Sequence, residues 1–139
     1  MAWYTDDMQK EIDTTFLKII KGDLPSYKLY EDEHTYAFLS NQPVTRGHAL
    51  VIPKIHAENM YDVSPESLAH IFATVKKVTL AIKETLNPIG INIHQNNEVG
   101  GGQAVFHIHF HIIPRYENDN IVQWHTDYRP DGDEYYEIA

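Results

Sequence analysis

Three histidines, His107, His109 and His111, stand two residues apart and alternate with Phe106, Ile108, Phe110 and Ile112. In an extended chain successive side chains point to opposite faces. The three imidazoles would then share one face at steps of roughly 6.5–7 Å, with the apolar residues on the other. Pro114, which has no N–H, is expected to end the run. Upstream, Gly100-Gly101-Gly102-Gln103 forms a flexible loop whose backbone N–H groups could approach an anion. Three kinds of chemistry fit such a run. It could be a half-buried strand whose outer face is histidine. It could be a metal site, since histidines two apart on a strand can share a zinc ion. Or one imidazole could attack phosphorus while the others hold and move protons.

The run His-apolar-His-apolar-His-apolar-apolar follows Gly102-Gln103-Ala104-Val105-Phe106, with Gly47-His48-Ala49-Leu50-Val51-Ile52-Pro53 further back. This pattern resembles the signature of the histidine triad superfamily of nucleotide hydrolases and transferases, nearest its Hint-like bacterial branch. The resemblance runs from about residue 13 to 115. It implies an α+β domain of the HIT-like fold, with an antiparallel sheet of about five strands, one long and one short helix, and a sheet continued across a homodimer. It also implies a nucleophile at His109, attacking an α-phosphorus, with its second ring nitrogen held by the backbone carbonyl of His107. His111 would bond a phosphate oxygen and assist the leaving group. His107 and His48, forming a relay, would balance protons and hydrogen bonds, and His56 matches a recurrent position of less direct role. Phe16, Ile19, Phe38 and Asn41 match base-pocket positions, and Ser40 matches the ribose-binding position. Asn96, Gly102, Gln103 and Val105 match positions around the phosphate.

The function implied is hydrolysis of purine nucleoside phosphoramidates through a nucleotidyl-histidine. Dinucleoside polyphosphates are the alternative substrate. A non-catalytic nucleotide-binding module is the alternative outside catalysis. The chain also departs from the pattern. Many relatives carry a Cys-x-x-Cys pair that helps bind structural zinc; Thr14 and Leu17 stand there instead, so no such metal site and no cofactor is expected. Ala104 replaces the usual Ser, leaving the leaving-group preference open. Ser40 replaces an Asp or Asn and has shorter reach.

The elements that must position these residues follow from pattern. Asp13 or Thr14 can cap a short helix carrying Phe16, Leu17, Ile19 and Ile20, stopped by Gly22. Residues 27–31 and 35–39 read as a hairpin, 48–53 as a strand, and 89–94 as a strand entering the glycine loop. Ser64-Pro65-Glu66 is a helix start, and apolar residues at three- and four-residue spacing carry that helix to Leu86 before Asn87-Pro88. His34 and His70 read as solvated. Residues 1–12 read as an extension and 116–139 as an acidic, aromatic tail, in which Trp124 could reach a partner's site.

With 139 residues the chain suits one domain. No apolar run is long enough to span a bilayer, and the acidic N-terminus is unlike an export signal; a cytoplasmic location is the expectation. Cysteine is absent, so there is no disulfide framework. The net charge of −9 argues against nucleic acid or anionic membrane as partner. A phosphate site in such a chain must be built locally.

Overall fold

The computed structural model of the protein describes residues 11–122 and 126–139. Trp124 and nearly all of the expected N-terminal extension therefore lie outside the described residues. Strands β1 (Tyr27–Glu31), β2 (Thr35–Leu39), β3 (Ala49–Pro53), β4 (Gly90–His94) and β5 (Phe110–Arg115) form one antiparallel sheet in the order β1-β2-β3-β5-β4. Helices α1 (Thr15–Lys21) and α2 (Pro65–Leu86) are joined by a third, α3 (Gly132–Ile138). The tail, read from sequence only as acidic and aromatic, holds this third helix, which Asp131 starts by accepting the N–H of Glu134 at 3.0 Å.

The long helix α2 begins where Ser64 Oγ accepts the N–H of Ser67, with Pro65 in its first turn. Its buried stripe, Ile71, Val75, Val78 and Ile82, packs with Ala37, Ala49, Val51, Ile108, Phe110 and Ile112 of the sheet. Each Val, Ile or Phe among them, fully buried, contributes about 1.5–3 kcal/mol. On the opposite face Phe16 of α1 packs with Tyr36, Phe38, Leu50 and Ile52. The sheet is thus covered on both sides, and the alternation of β2, β3 and β5 sends neighbouring residues to different cores.

The histidine run departs from a simple strand. Pairing of β3 with β5 starts only at Val51 opposite Phe110, so His107 and His109 precede the ladder. Their segment finds other partners: the N–H of Ile108 donates to the carbonyl of Ala57, and that of Phe106 to Asp13. Pro114 does not end β5, because β3 pairs no further than Ile112 and only β4 lies alongside Pro114. His34 and His70 are not independent solvated residues: their rings stack with centroids 3.6 Å apart.

Candidate active site

One rung of the sheet runs Phe38, Leu50, His111, His94 across β2, β3, β5 and β4. His111 is thereby held in the ladder by the register of two strands. His48 immediately precedes β3, on the same side, with its carbonyl taking the N–H of Ser40. The two rings meet: His48 Nε2 lies 2.9 Å from His111 Nδ1. Donor and acceptor roles follow from the neighbours. The backbone N–H of Val44 donates to His48 Nδ1 at 3.1 Å, so that nitrogen is an acceptor. In the neutral ring the proton then sits on Nε2 and is donated to His111 Nδ1. His111 must in turn carry its own proton on Nε2. The relay expected between His48 and His107 is therefore replaced by one between His48 and His111, because β3 and β5 register brings the latter two together.

His109 Nδ1 lies 2.8 Å from the carbonyl of His107. A carbonyl only accepts, so Nδ1 carries the proton and Nε2 keeps a lone pair. Phe16 sets the edge-on walls for this arrangement, its centroid 5.1 Å from that of His109 and 5.7 Å from that of His107. His109 and His111 follow with centroids 4.9 Å apart. His107 is fully buried; its Nε2 lies 2.8 Å from the Pro53 carbonyl and its Nδ1 3.2 Å from Nδ1 of His56.

Asp13 ties α1 to this segment across 93 positions of sequence. Oδ1 accepts the N–H and hydroxyl of Thr15, while Oδ2 accepts the N–H of Phe106 at 2.9 Å. Burial alone would raise its carboxyl, but these bonds and the nearby His107 outweigh that and hold it below its ordinary value. The cap role falls to Asp13, since the side chain of Thr14 makes no capping bond.

Burial keeps the cluster neutral. It pushes His107 down to about 4 despite the bond to Pro53, with help from His56 and His109. It pushes His111 to about 4, reinforced by His109, His48 and His94. His48 is lowered by burial, then by His94 and His109. His109 is lowered by burial against the opposing pull of the His107 carbonyl and Asp13. Four uncharged imidazoles with ordered protons can present a lone pair and a donor side by side.

The remaining expected residues divide. Phe16 and Phe38 are buried against each other, 5.7 Å between centroids, and are largely committed to packing. Ile19 is half-buried against the same cluster. Ser40 Oγ accepts the N–H of Gln42, and Asn41 is exposed. Asn96 reaches the Gly102 carbonyl at 3.4 Å.

The polar groups of Gln103 and Gly102, expected around the phosphate, are bonded within the protein. The Gln103 amide nitrogen donates to the carbonyls of Glu58 and Val105, and its oxygen accepts from the N–H of Glu98 and from Asn59. Every polar site of that buried side chain is occupied in bracing loops. The N–H of Gly102 is spent on the Val99 carbonyl and that of Gln103 on Glu98. A side chain added at Gly102 would be strained, since φ is +90°. Val105 is half-buried, its carbonyl held by Gln103. The residue missed by sequence reasoning is Asp13 as a clamp, and no local pattern reveals a bond so distant in the chain.

Thr14 is exposed and Leu17 half-buried, and neither offers a thiolate. Among the described residues no group of three His, Cys, Asp or Glu is arranged to hold a metal ion. A structural zinc of the Cys-x-x-Cys kind does not fit these residues. No helix among the described residues is long and apolar enough to cross a membrane.

With this geometry in hand, comparison with known proteins defines the class. The HIT domain family matches residues 21–118. The chain is 50% identical to the protein hit of Bacillus subtilis over 121 residues, covering 84% of this chain and 83% of that one. It is 51% identical over 100 residues to an adenosine 5′-monophosphoramidase of Schizosaccharomyces pombe, covering 72% of each. A crystal structure of a HIT family member from Bacillus subtilis superposes with a TM-score of 0.80 at 46% identity, covering 89% of this chain and 92% of that one. The protein belongs to the HIT family.

Proposed function

We propose that the protein hydrolyses purine nucleoside 5′-phosphoramidates through a covalent nucleotidyl-histidine at His109. The observation that carries this reading is the bond from His109 Nδ1 to the His107 carbonyl, 2.8 Å, which leaves Nε2 as the lone pair. The likeness to the fission yeast adenosine 5′-monophosphoramidase supports the substrate class.

His109 Nε2 attacks the α-phosphorus without charge repulsion, because a neutral ring approaches anionic oxygens. The phosphorus–nitrogen bond breaks, and the departing amine takes a proton through His111 Nε2. That proton is the one His111 itself carries on Nε2, and the water of the second step restores it. Water then attacks the phosphorus, breaking the bond to His109 Nε2 and returning a proton to His111; the mononucleotide is released. His48, bonded to the back of His111, keeps the donor of His111 directed outward. With the glycine-loop N–H groups at 101–103 bonded internally, His111 is the chief donor to the phosphoryl oxygens.

The test is turnover of an adenosine 5′-phosphoramidate followed by release of AMP. Wild type is expected to release AMP and His109→Ala is not. Turnover undiminished in His109→Ala, with the fold intact, would end this reading.

A further inference from the structure

We propose that His56 is a positioning residue of the site: its Nδ1–H, donated to Nδ1 of His107, fixes the tautomer of His107 and through it the peptide that holds His109. The consequence for catalysis rests on the function proposed above; the tautomer does not.

The argument starts at Pro53, the last residue of β3. Its carbonyl lies 2.8 Å from His107 Nε2 and can only accept, so that nitrogen bears the proton. His107 is completely buried and neutral, so its other nitrogen, Nδ1, carries a lone pair. Nδ1 of His56 faces it at 3.2 Å. Two lone pairs cannot face each other at this distance without repulsion, so a positive centre must lie between them. No third ligand of a metal set is arranged there among the described residues. The centre is the proton of His56, and the rings meet edge to face at 74°, as a ring N–H aimed at an in-plane lone pair allows.

A chain of directed bonds results. His56 donates to the ring of His107, that ring donates to Pro53, and the carbonyl of His107 accepts from His109. Removing the His56 donor leaves a buried acceptor unsatisfied. The other tautomer of His107 offers no escape, since it would set the Nε2 lone pair against the Pro53 carbonyl. The ring must shift, and its own backbone carbonyl, the group that orients His109, shifts with it.

The experiment combines imidazole 15N NMR on chelator-treated protein with kinetics on adenosine 5′-phosphoramidate. In wild type, His107 is expected to show a protonated Nε2 and an unprotonated Nδ1. His56→Leu, which keeps bulk and removes the donor, is expected to give mixed tautomers at His107 and a kcat roughly tenfold lower, as the loss of one buried hydrogen bond implies, with KM within about twofold. His56→Asn places an amide N–H near the lost one and should recover kcat to within about threefold of wild type. The proposal is overturned by a proton on His107 Nδ1 in wild type, by a His56→Leu variant whose tautomer or rate is unchanged, or by equal loss in His56→Asn and His56→Leu. Should wild type not turn over the phosphoramidate, the reading of function fails, and the wild-type spectrum still decides the tautomer.

Discussion

His48 Nε2 sits 2.9 Å from His111 Nδ1, joining two residues 63 apart in sequence through the register of β3 and β5. The backbone N–H of Val44 forces the direction of this bond, from His48 to His111. His48→Ala is therefore expected to lower kcat on an adenosine phosphoramidate by about 10- to 100-fold, with a smaller change in KM, since general-acid help is typically worth 10²–10⁴-fold and His111 itself remains. Steady-state kinetics check this; a change confined to KM would contradict the relay.

Asp13 both starts α1 and holds the N–H of Phe106, next to the first histidine of the run. Asp13→Ala should cost about 0.5–2 kcal/mol, the usual range for a lost helix-start cap, with some further loss from the Phe106 bond. Urea unfolding measures it. Because Phe16 follows on the same helix and touches His107 and His109, activity should fall in parallel.

The neutral histidines predict an acid-sensitive fold. His107 and His111 titrate at about 4 when folded, below the ordinary 6.5 of the unfolded chain. Between these values the unfolded chain binds more protons, so stability rises with pH there. It should be complete above pH 6.5 and decline steadily as pH drops toward 4. Asp32, held at about 2 by N–H bonds from His34 and Thr35 and by the Tyr30 and Thr35 hydroxyls, which outweigh its burial, loses its contribution only at lower pH. Denaturant midpoints at pH 7, 6, 5 and 4.5 would show the decline, and His111→Gln should flatten it.

Gln103 spends its whole amide on Glu58, Asn59, Glu98 and Val105. Gln103→Leu should destabilise the protein by about 1–3 kcal/mol through unsatisfied buried groups. Thermal unfolding read beside KM distinguishes this from a lost phosphate ligand, which would raise KM and leave Tm unchanged.

Much of the fold was legible because it is local. Ser64, Pro65 and the spacing of Ile71, Val75, Val78 and Ile82 write α2 into a short window, and the two-residue alternation of β1, β4 and the histidine run marks those segments as extended. The histidines share a side because Ile108, Phe110 and Ile112 are drawn to the core of α2. What was not legible depends on register and long reach. The partner of His48 is decided by which residue of β5 lies opposite Leu50, which no single-strand pattern contains. The same is true of Phe106 meeting Asp13 and of His34 stacking on His70. The bonds of Gln103 to four other residues likewise appear only when the loops are folded together.

The central claim is a transient bond between phosphorus and His109 Nε2. It is tested most directly by rapid acid-free quenching of the protein with an adenosine phosphoramidate, followed by intact mass and peptide mapping. The mass of one adenylyl group on the peptide bearing His109 during wild-type turnover, absent in His109→Ala, is the predicted result. Turnover undiminished in His109→Ala, or an adduct mapped to another residue, would contradict it.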